Sequence, residues 1–366
     1  MFINMTPRLK RCIINCLNLI LLTLILIYVL IMLRIYKVEK KYQPSNCFLN
    51  KNDLDDSFGI PLEDVLLSEV EPIIEGTIFF IETSCPSNGN ILELTARQAC
   101  AIESAAFNNE IYQIFVLFAS PRYQQQEGNR HPLIDAILSY PNVQLRQVNL
   151  MRYAAGTPIE DWLKKGELFK SSYLSSHLAD VLRLLTLYRF GGICVHLDTM
   201  ILNTVTVLPL NYAGADLDNQ ISTAMLGLTS TGFGHQFAGD CLRDLQQSFD
   251  ANNRHTSGRD VITRAVQRAC GTLNIAEMRN DPQGCQSFQL YNHTQFLAIK
   301  PADWRQLFEE EFLDEVLEQT RGASFMLHLW HSKSHKQRIK RGTRSAYTQY
   351  ARRHCPKAYA AAGEYF

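Results

Sequence analysis

Residues 176–202 read S-H-L-A-D-V-L-R-L-L-T-L-Y-R-F-G-G-I-C-V-H-L-D-T-M-I-L. Up to Arg189, the apolar residues Leu178, Val181, Leu182, Leu185 and Tyr188 recur every three or four positions, the spacing of one helix face. Ser176 is placed to cap that helix. Gly191 is placed to stop it, because glycine takes the left-handed backbone a helix end needs. Asp180 and Arg183, three apart, then project from one side. Beyond Gly192 the run Ile193-Cys194-Val195-His196-Leu197 has the β-branched, apolar character of a buried strand, and it ends at Asp198. On a strand, His196 and Asp198 share a face. Open α/β sheets bind ligands at the carboxyl ends of their strands, where this pair falls. A carboxylate there can hold a divalent cation that neutralises a diphosphate.

The same alternation extends upstream. Gly76 opens Thr77-Ile78-Phe79-Phe80-Ile81-Glu82-Thr83-Ser84, a buried type of strand with a polar end. Ala96 to Asn108 reads as a helix, Ile114 to Ala119 as a second strand and Val143 to Leu150 as a third. Strand–helix–strand order predicts an α/β fold with a mostly parallel sheet. Residues 34–75, interrupted by Pro44, Pro61 and Pro72, show no sustained period and read as a stem. From Cys12 to Leu33 no residue is charged. At ~1.5 Å per residue that helix would cover the ~30 Å of a bilayer core. A cleaved signal peptide would have a shorter apolar run, ~7–15 residues, ending at small residues. The stretch is therefore read as a retained anchor.

Composition narrows the partners. Lys+Arg and Asp+Glu both number 36, which argues for no nucleic acid or other polyanion. Eight of the ten cysteines lie beyond the apolar segment, an even number that suits disulfides in an oxidising lumen. Proximity alone suggests Cys85 with Cys100 and Cys270 with Cys285. Residues 309–318 crowd acids that a solvated helix face explains, and the basic run Lys333–Lys357 reads as solvated surface that could also meet phosphates or anionic headgroups.

The 176–202 pattern resembles the D-x-x-R … G-G-x-Y-x-D-x-D core of the alpha-1,4-glycosyltransferase family. Asp180, Arg183, Gly191, Gly192 and Asp198 match it; His196 stands where the first aspartate belongs, Cys194 replaces an aromatic and Ala179 a serine. The strand ending Glu82-Thr83-Ser84 is similar to the family's first strand, where the nucleotide base docks. Leu327 to Ser334 is similar to its H-x-W region, retaining His328 and Trp330. Thr256 to Arg264 resembles its G-P-x-x-x-T-R helix start, with Arg259 in place of proline. A proline there would preset the first turn; arginine adds a charge that a donor phosphate could use. Ser222 and Thr223 replace an N-G pair. His328, His331 and His335 would also line one helix stripe able to chelate zinc, but the context is not helical in pattern.

The resemblance implies a single GT-A-like, Rossmann-type nucleotide-sugar domain behind an N-terminal transmembrane helix. The division is a cytoplasmic tail (1–11), an anchor (12–33), a stem (34–75) and a lumenal domain (76–366), whose halves are 76–210 for the nucleotide-sugar and 211–366 for the acceptor. It implies a Golgi type II enzyme that uses Mn2+ and UDP-galactose or UDP-N-acetylgalactosamine. The enzyme would extend a galactose-type terminus of a glycolipid acceptor in α1,4 linkage with retention, alone or in oligomers with other Golgi glycosyltransferases. Asp198, Asp180 and Arg183 would be catalytic; Asp198 and His328 would hold the metal; His196, Glu82, Thr83, Trp330 and Arg259 would contact the donor. The missing aspartate keeps a second reading open, a weak or inactive paralogue that binds donor, acceptor or a partner glycosyltransferase. With an unperturbed pKa of ~6.5, His196 would titrate in a mildly acidic lumen. If the anchor is retained and the bulk is lumenal, Asn292 of Asn292-His293-Thr294 carries glycan and the protein resists alkaline carbonate extraction. A soluble product with a new N-terminus near Leu33 would contradict this.

Overall fold

The computed structural model describes residues 7–42, 48, 59–85, 91–216, 220–322 and 324–366. The chain divides into two compact units, residues 1–44 and 45–366. The first holds one helix, α1 (Pro7–Tyr42). Within it Ile13–Arg34 is long and apolar enough to cross a membrane, with its leucines and isoleucines exposed along the whole span. The Thr23 hydroxyl donates to Ile20 O at 2.7 Å, so it needs no water there.

The second unit is built on a sheet. Apart from a two-residue pair, Ile60–Pro61 with Tyr123–Gln124, its strands in chain order are β1 (Thr77–Glu82), β2 (Gln113–Phe118), β3 (Val143–Gln147), β4 (Gly192–Val195), β5 (Thr199–Ile201), β6 (Tyr212–Ala215), β7 (Ile221–Leu228), β8 (Gln289–Tyr291) and β9 (Met326–His328). Seven form one sheet in the order β8-β6-β7-β4-β1-β2-β3, and β5 pairs with β9 separately. Every pairing in the large sheet is parallel except the two made by β7. The expected α/β, mostly parallel architecture is what forms. Reversal of β7 has one local consequence: its first residues, not its last, lie beside the carboxyl end of β4.

Helices cover both faces: α2 (Ala96–Asn108), α3 (Leu174–Phe190), α4 (Gly232–Ser248), α5 (Arg259–Cys270), α6 (Ala346–His354) and α7 (Pro356–Ala361). Ile78 and Phe80 of β1 pack in the core shared with α2, α6 and α7. Phe79 and Ile81 pack in the core shared with α3, α4 and α5. Burial on both faces is why β1 reads as a continuous apolar run.

Local details depart from the sequence reading at the ends. Helix α3 starts at Leu174, its first turn closed by His177 N–H to Tyr173 O at 3.0 Å, so Ser176 lies inside the first turn and caps nothing. Strand β4 stops at Val195, which leaves His196 and Asp198 in the turn that follows. Gly191 and Gly192 take φ of +61° and +81°. A Cβ on Gly192 would lie 2.5 Å from Thr77 O of β1, so the turn from α3 into β4 requires glycine. Residues 59–75, read as stem, lie against the sheet: Leu62 and Val65 are buried, Val65 N–H donates to Gln147 O at 2.9 Å, and Asp64 meets Arg152 at 2.7 Å.

The C-terminal helices are tied to α2. Cys100 is bonded to Cys355, at the junction of α6 and α7. Buried Glu103 accepts the N–H groups of Lys357 and Ala358 at 2.9 and 2.6 Å and the Tyr140 hydroxyl at 2.7 Å, satisfying the open end of α7. The Cys85–Cys100 pairing suggested by proximity is therefore corrected, Cys85 being bonded elsewhere; Cys270–Cys285 forms as expected. The bridges close separations of 255 and 15 residues. Chain entropy then predicts that Cys100→Ser/Cys355→Ser costs about 2 kcal/mol more than Cys270→Ser/Cys285→Ser. Denaturant melts of the two variants check this; equal losses would contradict it.

Candidate active site

A cleft of about 490 Å³ opens at the carboxyl ends of β1 and β4 and the start of β7, with Ile81, Val195 and Ala224 in its wall. Asp198 is fixed there by the 329–331 segment. Its carbonyl accepts Leu329 N–H at 2.8 Å, and its Oδ2 accepts His331 N–H at 2.9 Å. Pairing of β9 with β5 sets His328 opposite Thr199, next to Asp198. From the other side, His196 N–H donates to Ala224 O of β7 at 2.9 Å.

Three ligand atoms meet as a result. His196 Nδ1 lies 3.7 Å and His328 Nε2 3.5 Å from Asp198 Oδ1, and the set fits within 4.8 Å. Ligands bound at ~2.0–2.2 Å to one ion stand at about such separations, so the trio fits a divalent cation. The outer nitrogens differ. His196 Nε2 lies 3.3 Å from the Thr223 hydroxyl, which suits an N–H on that side and a free lone pair at Nδ1. His328 Nδ1 accepts Trp330 N–H at 3.1 Å, which favours the proton on Nε2, the atom facing Asp198. An ion at His328 therefore competes with a proton that the Trp330 amide keeps in place.

Electrostatics of the trio follow from burial and the neighbouring charges. Burial, then the Arg183 charge, push His196 well below the usual imidazole range. The expected titration near 6.5 is thus corrected, and the ring stays neutral in mildly acidic solution. Burial works to raise Asp198, but His328, His196 and the His331 amide outweigh it and hold the carboxyl below its ordinary value.

Asp180 and Arg183 stand in the same cleft. Arg183 Nη1 donates to Asp180 Oδ1 at 2.6 Å, and Ser257 Oγ donates to Oδ2 at 2.8 Å. The pair thereby joins α3 to the chain entering α5. Gly258 makes the approach possible: a Cβ there would lie 2.5 Å from Asp180 Oδ2. One turn into α5, the Thr263 hydroxyl accepts Ile221 N–H at 3.0 Å, docking the helix on the start of β7. Arg259 lines the cleft with its Nη1 3.7 Å from Asp216 Oδ2.

Trp330 also lines the cleft. Its indole N–H donates to Ile299 O at 3.0 Å, and its ring lies 4.4 Å from that of His328. Glu82 and Thr83 do not line it. The Glu82 carboxylate is held by Arg122 at 3.1 Å and by Ser84, and the Thr83 hydroxyl meets Ser175 O at 2.9 Å. His328 closes a strand while His331 begins a separate short helix, so 328, 331 and 335 form no single helical stripe. Ser257 and the His331 amide entered the site without being singled out for it, and Thr223 had been noted only as part of the pair replacing the family's N-G.

Two family regions match the chain: a glycosyltransferase sugar-binding region containing a DXD motif over residues 95–216, and an alpha 1,4-glycosyltransferase conserved region over residues 230–362. Both are glycosyltransferase regions, and between them they contain every residue of the trio and of the Asp180–Arg183 pair. The chain therefore carries an alpha 1,4-glycosyltransferase conserved region behind a DXD-type sugar-binding region. It is 27% identical over 286 residues to lactosylceramide 4-alpha-galactosyltransferase of Homo sapiens, covering 78% of this chain and 77% of that protein. Alpha-1,4-N-acetylglucosaminyltransferase of Homo sapiens is 22% identical over 288 residues, covering 77% and 79%. Among solved structures, PaToxG glycosyltransferase is similar with a TM-score of 0.40 and 13% identity, over 70% of this chain and 90% of that one.

Because Asp180 links α3 to α5, Gly258→Ala should displace the carboxylate and loosen Arg183 and the first turn of α5 together. The expected result is a loss of about 1–3 kcal/mol in stability with weaker UDP binding in titration calorimetry. Unchanged binding and stability would contradict the linkage.

Proposed function

We propose that this chain is a Golgi-anchored, retaining alpha-1,4-hexosyltransferase that takes galactose or an N-acetylhexosamine from a UDP-sugar to a galactose-type terminus of a glycolipid. The observation that carries the reading is the convergence of His196, Asp198 and His328 beside Asp180 and Arg183 in one cleft at the strand ends. The relatives' activities and the apolar span Ile13–Arg34, as a type II anchor with the C-terminal bulk lumenal, support acceptor class and location. His196 Nδ1, Asp198 and His328 are the residues that would hold the cation, for which Mn2+ is the family's ion. When bound, it supplies positive charge to the leaving diphosphate.

This chain's side chains account for the rest. Both Asp180 oxygens are engaged, yet each keeps a lone pair for a sugar hydroxyl, and the Arg183 pairing fixes their direction. The pair orients the donor sugar rather than moving a proton. The Trp330 ring offers an apolar wall, locked by its indole hydrogen bond. Glu82 and Thr83 act on the donor only indirectly, by holding the end of β1 against Arg122 and Ser175.

One observation favours a second reading, a weak or inactive paralogue that binds donor, acceptor or a partner transferase. The cation position carries one carboxylate and two imidazoles, so it offers one carboxylate charge where two aspartates would offer two. His196→Asp should therefore raise Mn2+-supported UDP affinity several-fold. Because burial and the Arg183 charge keep His196 uncharged, any change in wild-type affinity between about pH 7 and 6 should appear equally in His196→Asp. Titration calorimetry with UDP and Mn2+ at both pH values measures this. Failure of both proteins to bind UDP, together with no donor hydrolysis, would establish the non-catalytic reading instead.

A further inference from the structure

The cleft holds less negative charge for a cation than a two-aspartate site, and it also holds an arginine whose donors are not committed. The buried Arg183 guanidinium is spent on Asp180 at 2.6 Å. Arg97 donates to Ser334 O and Oγ at 3.0 and 3.1 Å and to Gln337 O. Arg259 differs: among the described residues it makes no hydrogen bond, its Nε is buried without a partner, and its closest carboxylate oxygen, on Asp216, stands at 3.7 Å. A guanidinium carries five N–H donors in a planar fork, and leaving a buried one unmet is unfavourable unless a ligand meets it.

Position is as telling as valence. Arg259 and Thr263 are four apart and share one face of α5. Thr263 is bonded to Ile221, the first residue of β7. Two residues further along, Thr223 meets His196. Arg259 thus stands over the start of the strand that supports the cation trio, inside the same cleft. The phosphates of a nucleoside diphosphate held at that trio would lie within the same walls, and a bidentate guanidinium matches their oxygens.

We propose that Arg259 binds the diphosphate of the donor directly, supplying charge that a cation held by two carboxylates would otherwise bring, so that donor binding persists without a divalent ion. This rests on the donor-binding reading of the cleft. It also deepens it, because it divides the work of neutralising the diphosphate between an ion site with one carboxylate and a fixed side chain. The helix start that would otherwise carry a proline gives up a preset first turn and gains a permanent charge.

The test is calorimetric titration of the full chain in detergent with UDP and with uridine, each in EDTA and in excess Mn2+. Wild type is compared with Arg259→Gln and Arg259→Lys, with thermal melts confirming that each is folded. Wild type should bind UDP in EDTA within about tenfold of its affinity in Mn2+. Arg259→Gln should lose tenfold or more in EDTA and less in Mn2+, with uridine affinity unchanged and Arg259→Lys recovering part of the loss. Wild-type binding that appears only with Mn2+, or an Arg259→Gln variant equal to wild type in EDTA, would overturn the role of Arg259 and leave the donor site standing. Absence of UDP binding under both conditions would overturn the donor-binding reading and this inference with it.

Discussion

The site depends on how Asp198 is held. Its carbonyl and one carboxylate oxygen both accept backbone N–H groups from residues 329–331, a segment distant in sequence that the β5–β9 pairing delivers. Hydrogen bonds to a carboxylate from a backbone amide fix its direction and favour its ionised form. Without that pairing, His328 would have no reason to approach β4, and the cleft would lose one wall. The reversed strand β7 does the same from the opposite side, through His196 N–H on Ala224 O and the Thr223 hydroxyl on the ring. One carboxylate is thus the meeting point of three stretches of chain.

Charge in the cleft is distributed rather than concentrated. Arg183 is paired with Asp180, burial and the Arg183 charge keep His196 uncharged, and among the described residues the trio that could hold an ion has Asp198 as its one carboxylate. Nearby, α5 is docked by Thr263 and by the Asp180–Ser257 contact, so its first turn cannot drift from the Asp180–Arg183 pair.

Much of this was legible in the chain. Burial on both faces makes β1 and β2 uniform apolar runs, and the helix read over Ala96–Asn108 forms, held by a capping box in Thr95 and Gln98. The start of α3 and the end of β4 were not, since the helix begins two residues before the serine read as its cap and the strand stops before His196. Asp180, Arg183, His196, Asp198, His328, Trp330 and Arg259 do converge. Glu82 was expected near the base from the family resemblance of its strand; in the fold its carboxylate is paired with buried Arg122. The Cys100–Cys355 bond spans 255 residues, and no local pattern could announce it. Ser257 and Thr223 act through hydroxyls whose partners come from other elements, which a one-dimensional reading does not contain.

The central claim is that this cleft binds a nucleoside diphosphate sugar. Photolabelling of the full chain with an azido-uridine diphosphate probe, followed by peptide mapping, tests it most directly. The account predicts labelling confined to peptides containing residues 176–198, 222–259 and 328–332, and suppressed by UDP but not by adenosine diphosphate. Labelling elsewhere, or labelling that UDP does not suppress, would contradict it.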